Sequence, residues 1–167
     1  MKYIFSVIFV WMFVACNSGP RPGDAVKFND SVVFRQDTFY MFLDEFVTSI
    51  EQESDISLVQ KKYKQSLNYA QKALKYVENV EPFDENDEMR KASIEYFQKQ
   101  IDIFDNEFSQ ILKLYMLDPT DITVEIEHKW DSLMTCIVQL DSMAAQSFLQ
   151  SQQVFAKKYG ITLKDLD

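Results

Sequence analysis

Between positions 94 and 115 the apolar residues follow one another in steps of three and four. Ile94, Phe97, Ile101, Phe104, Phe108, Ile111 and Tyr115 keep that spacing without a miss. A strand buries every second residue, whereas this period is one face of an α-helix. A helix so long and so one-sided needs comparable helices to cover it, because a single apolar stripe has to be buried against another element. The remainder of the chain supplies them. Only 3 glycines and 4 prolines are present, and Gly19, Pro20, Pro22 and Gly23 sit together near the start. A sheet protein of this size needs more turn residues than the rest of the chain contains. A glycine-rich phosphate loop is excluded on the same ground.

Three further stripes have the same period. Ala25, Val32, Phe39, Leu43, Phe46 and Ile50 mark a first helix over 24–52, with the polar Asn29 and Gln36 completing its buried line. Val59, Tyr63, Ser66, Ala70, Leu74 and Val77 mark a second over 56–80, capped by Ser54 or Asp55 and ended by Pro82. Its small Ser66, Ala70 and Ala73 permit close approach of a neighbour. The third helix is expected to open on the acids 84–88, which suit the positive end of a helix dipole. The fourth is expected to start at Pro119, with Asp118 as cap. It carries Ile122, Ile126, Trp130, Leu133, Ile137, Leu140, Ala144, Phe148, Ser151 and Phe155, with Lys157, Lys158 and Gly160 suited to its end. Short connections between long helices imply antiparallel neighbours. The reading is an all-α, antiparallel up-down-up-down four-helix bundle over 24–160, followed by a tail over 161–167. The loops near Gln52 and Pro119 then share one end, and the C-terminus returns to the end where the first helix begins.

Residues 1–15 read differently. Lys2 is followed by a nearly unbroken apolar run from Ile4 to Val14, too short to span a bilayer and proportioned like an export signal. Phe13-Val14-Ala15-Cys16 resembles the bacterial lipobox, with the small Ala15 before the cysteine and Phe13 in place of the usual leucine. The resemblance implies cleavage before Cys16 and attachment of a diacylglyceryl group to its sulfur, with palmitate among the acyl chains. Two acyl chains anchor stably where one is marginal. Residues 16–23 become the lipidated cysteine and a short tether. Cys136 is then the single thiol of the processed chain, which rules out an intramolecular disulfide; it falls in an apolar helical stretch and is expected to be buried.

The signal resembles those of Bacteroidetes-type lipoproteins. Phe28-Asn29-Asp30, Val32-Val33 and Gln36 resemble the opening of an uncharacterised family of all-helical envelope lipoproteins. That likeness implies an outer-membrane, lipid-anchored address and a helical fold, with no activity attached. Asn17-Ser18-Gly19 lacks the acids that follow the cysteine in surface-displayed members, which favours the periplasmic face.

Chemistry is limited by counts. His128 is the single histidine. Glu125-Ile126-Glu127-His128 contains one Glu-x-x-His step, but a ferritin-like di-metal site needs two, so no metal site is expected. Cys136 lies two turns from His128, roughly 12 Å along a helix, too far for direct activation. Bis-His haem ligation is impossible, and Met41, Met89, Met116, Met134 and Met143 read as packing residues for want of anything that positions one opposite His128. No cofactor and no catalytic residue are expected, and the chain reads as non-enzymatic. The net charge of −9 disfavours nucleic acid and anionic lipid headgroups as partners. Glu78, Glu81, Asp84, Glu85, Asp87 and Glu88 form an acidic cluster read as caps and a solvated loop, with a surface for a basic partner as its sharper reading.

Two functions remain. The first is a membrane-anchored helical component of the cell envelope that binds a protein partner, with Phe34, Tyr40, Phe42 and Tyr69 as off-stripe contact residues. The second is a small-ligand carrier with Asn29 and Gln36 lining a polar pocket. Buried amides need partners in either case, so Asn29 and Gln36 are otherwise a network that fixes helix register.

Overall fold

The computed structural model describes residues 21–52 and 54–163, and among them there is no strand. Helix α1 spans Pro22–Glu51, α2 spans Ile56–Asn79 and α3 spans Glu88–Ile103. A π-helical turn, Phe104–Phe108, carries α3 without a break into α4, Ser109–Tyr115, and α5 spans Val124–Tyr159. With α3, the π turn and α4 counted as one rod, the described residues form four rods, the longest of them 36 residues or about 54 Å.

Cross-helix pairs give the directions. Glu45 meets Lys62 while Arg35 lies over the Tyr76 ring, so α2 runs back along α1. The Tyr115 hydroxyl donates to the Ser54 carbonyl and Arg90 to that of Glu78, so the third rod runs back along α2. Gln100 pairs with Asp141 while Lys158 reaches Asp84 beyond the other end of α3, so α5 reverses again. Asn29 with Gln152 and Tyr40 with Asp141 close α5 antiparallel onto α1. This is the up-down-up-down order. The loops near Gln52 and Pro119 share one end; the start of α1, the 80–87 loop and the end of α5 share the other.

The stripes point inward as their period requires. Ala25, Val32, Phe39, Phe46, Val59, Phe97, Phe104, Ile111 and Phe148 are all buried. Aromatic rings form the spine. Phe104 packs against Phe39, Phe46, Tyr63 and Phe108 at centroid separations of 4.8–6.2 Å. The small residues of α2 admit α1 closely enough for the Ser66 hydroxyl to donate to the Phe42 carbonyl at 2.8 Å.

Helix ends depart from the sequence reading in three places. Pro22 and Gly23, assigned above to the tether, form the first turn of α1, with Pro22 where its missing N–H costs nothing. The acids 84–87 precede α3 instead of opening it, because Asp87 adopts a left-handed conformation (φ 55°) that no helical turn contains. Pro119 opens a separate 3-10 turn, Pro119–Asp121, capped by Asp118; α5 begins at Val124 under Thr123. Asp55 caps α2 through the Ser57 N–H, and Gly160 (φ 63°) ends α5 in the left-handed form that glycine adopts freely. On the fourth stripe Ile122 and Leu140 are exposed, and Cys136 is half-buried rather than buried.

Candidate functional site

Two polar layers interrupt the apolar core. In the first, the Gln152 amide donates to Asn29 Oδ1 at 3.0 Å, and both residues are buried. The Asn29 side-chain Nδ2 donates to the neighbouring Asp30 carboxylate at 3.4 Å. Asn29 thus bridges α1 to α5, the register role that a buried amide performs between helices.

The second layer lies at mid-height and draws on three helices. Asp141 of α5 accepts from the Gln100 amide at 2.6 Å and, more weakly, from the Tyr40 hydroxyl at 3.3 Å. Gln100 is 1 % exposed, so Asp141 satisfies a donor that water does not reach. The Tyr96 hydroxyl is buried beside Tyr40 and Gln36 with no well-directed hydrogen bond. Burial, and then the Asp141 charge, push the Tyr40 hydroxyl up to about 12. Burial, and then Tyr40, raise Tyr96 further. Both phenols therefore remain protonated at neutral pH.

Gln36 thus belongs to the second layer and Asn29 to the first, and the two do not face one shared space. Sequence reasoning singled out these two alone and missed Gln100, Asp141 and Gln152. Each of the three sits one residue from a stripe position (Ile101, Leu140 and Ser151), where a bundle core widens beyond a two-position seam. Polar residues flanking a stripe were the available signal.

A third arrangement closes the 80–87 loop. Asp84 accepts from Lys158 Nζ at 2.7 Å, the Tyr159 hydroxyl at 2.6 Å and the Asp87 backbone N–H at 2.7 Å. Asp87 is ion-paired to Arg90. Two of the six clustered acids are therefore engaged with bases of the bundle itself. Burial alone would push the Asp84 carboxyl up, but the bonds from Lys158, Tyr159 and the Asp87 N–H together hold it at about 2. A carboxyl lowered by folding stabilises above its unfolded value near 3.8, and that contribution is lost as pH falls toward about 2. Asp84→Asn is expected to lower Tm by roughly 3–5 °C at neutral pH. The difference from the unmodified protein should shrink through that acid window. Thermal melts of both proteins across pH check this, and parallel curves would refute it.

Two hollows lie away from both amides. A cavity of about 10 Å³, room for one water, sits under Asp84, Phe28 and Phe155. A shallow groove of about 390 Å³ runs between α3 and α5 along Lys91, Ala92, Glu95 and Val154. Asn29 and Gln36 line neither. Among the described residues no three His, Cys, Asp or Glu side chains are grouped to hold a metal ion, and His128 is exposed near the start of α5.

Of the off-stripe aromatics, Phe34 is 66 % exposed. Phe42 and Tyr69 stack on each other, centroids 5.1 Å apart, and Tyr40 turns inward to Asp141. Tyr40 and Tyr69 widen the core, and Phe42 rests on Tyr69. Among the described residues no helix is long and apolar enough to cross a membrane. Cys16 and Asn17-Ser18-Gly19 lie outside the described residues. No family model, no curated protein and no solved structure matches the chain.

Proposed function

We propose that this chain is a non-enzymatic helical lipoprotein, held in the outer membrane by acyl chains on Cys16, that binds a protein partner in the cell envelope, on the periplasmic face. The observation that carries this reading is where the large apolar side chains lie. Phe34, Met41, Val138, Met143 and Val154 are each more than half exposed on the outer faces of α1 and α5, while inner polar groups of those helices are turned toward one another. Scattered apolar residues on a surface are ordinary; several on the same long helices suit a contact face.

A small-ligand carrier is the second reading. The observation that favours it is the Tyr96 hydroxyl, buried beside Gln36 with no well-directed bond of its own. One experiment separates the two. The full chain is expressed in a Gram-negative host envelope, crosslinked, solubilised in detergent and captured, and mass spectrometry reads both proteins and small molecules. The interaction reading expects a specific protein at near-stoichiometric yield, retained by Asn29→Leu/Gln36→Leu. A small molecule recovered alone, and lost from that double variant, establishes the carrier instead.

A further inference from the structure

The outer face of α1 is built in an order that its inner face does not explain. Asp30, Phe34, Asp37, Met41 and Asp44 succeed one another in steps of four, three, four and three. These steps place them in one line along the helix, opposite the buried Ala25, Val32, Phe39 and Phe46. All five are exposed, Phe34 at 66 % and Met41 at 52 %, and Val26, 40 % exposed, extends the line toward the start of the helix. Acid and large apolar residue thus alternate over about four turns.

Two bases near this line are turned to the α2 side. Arg35 donates to the Ser31 carbonyl and lies over the Tyr76 ring, on the α2 side. Lys62 pairs with Glu45 on that same side. Among the described residues neither Asp37 nor Asp44 takes part in an ion pair. Lys27, exposed at the rim, is the one base on the outer side of this part of α1.

The geometry points to the outer face of α1 as the docking site for a basic amphipathic helix, one whose apolar residues recur at three and four with Lys or Arg between them. Phe34 and Met41, seven residues apart, present two successive knobs on one line, the spacing of a helix–helix seam. Asp30, Asp37 and Asp44 flank those knobs where the partner's bases would fall, so charge fixes register and orientation. A second copy of this chain is the wrong occupant. Two such faces laid together would oppose three aspartates to three aspartates, and like charges across an interface are costly. The chain's net charge of −9 works in the same direction. This inference rests on the interaction reading and names its surface and the chemistry of the partner.

The test uses the full chain, expressed and purified in detergent from membranes. The probe is a synthetic peptide of three heptads with Leu at the seam positions and Lys elsewhere, followed by fluorescence anisotropy at fixed salt. One-to-one binding is expected. Phe34→Ser/Met41→Ser and, separately, Asp37→Asn/Asp44→Asn are each expected to weaken it about tenfold or more. Glu127→Gln/Asp131→Asn removes the same charge from exposed positions of α5 and is expected to leave binding within about twofold. Equal weakening by this control would reduce the effect to general charge attraction and overturn the proposal. Sedimentation showing a dimer that Phe34→Ser dissociates would overturn it in favour of a second copy. The Phe34→Ser/Met41→Ser variant is also carried through the envelope capture. A partner retained by that variant sinks the α1 face and leaves the interaction reading standing, whereas no partner for either protein sinks the interaction reading itself.

Discussion

Phe104→Ala is expected to destabilise the bundle by about 4 kcal/mol, a large fraction of the 5–15 kcal/mol that holds a typical domain together. Phe104 is wholly buried and lies in the π turn, where its ring touches rings from α1, α2 and the third rod. Truncation removes the ring's transfer free energy and leaves a void, and four surrounding aromatic rings are too stiff to collapse into it. The backbone adds a second penalty. A π turn is a costly departure from the i→i−4 ladder, and the Phe104 carbonyl also accepts the Tyr63 hydroxyl at 2.9 Å. With the ring gone, nothing holds that turn against relaxation to an ordinary α-helix, and relaxation would withdraw the acceptor from Tyr63. The unfolding midpoint in urea should fall with little change in slope, and Tm by roughly 10–15 °C. Phe34→Ala provides the contrast: its ring is 66 % exposed, so its effect should remain within about 0.5 kcal/mol. A loss below about 1 kcal/mol for Phe104→Ala would mean that this residue is not at the centre of the core.

The same residue shows how far the sequence could be read. The period that makes 94–115 a helix also places Phe104 inside, because burial of one face is the cause of the period. Nothing in that period reveals the π turn, which inserts one residue into the hydrogen-bond ladder while the flanking apolar positions still meet the core. Helix ends were legible where a cap uses local chemistry, as at Asp55 and Gly160. They were illegible where the loop makes tertiary bonds. Asp84 opens no helix because Lys158 and Tyr159, more than seventy residues later, hold it. The candidate site was half legible for a related reason. Asn29 and Gln36 stand out because they replace apolar residues on a stripe. Gln100, Asp141 and Gln152 flank their stripes and look like ordinary surface residues until the helices that meet them are in place. The outer line of α1 was in the sequence as well, but acids interleaved with Phe34 and Met41 acquire meaning only once the opposite face is known to be the buried one.

Cys16→Ser is expected to abolish lipidation altogether. The full chain, expressed with a radiolabelled or alkyne-tagged palmitate, should incorporate the label, and the substitution should remove it without residue. Intact-mass analysis of the unmodified protein should find a chain that begins at Cys16 and carries two O-linked acyl groups on a glyceryl thioether. Serine offers no thiolate to form that thioether, and processing at a lipobox follows the modification, so the variant should retain residues 1–15. Label that persists in Cys16→Ser, or a processed chain that begins elsewhere without lipid, would refute the lipoprotein reading. Anchoring at Cys16, as proposed, would have a geometric consequence. Because α1 already begins at Pro22, the connection from Cys16 to Arg21 is six residues and reaches at most about 20 Å. The end of the bundle held near the bilayer is then the one with the 80–87 loop. Asp84 and Asp87 are neutralised there by Lys158 and Arg90, but Glu81, Glu85 and Glu88 remain exposed, and an anionic headgroup layer repels them. The line Val26–Asp44 would then run away from the membrane, open to a partner along its length.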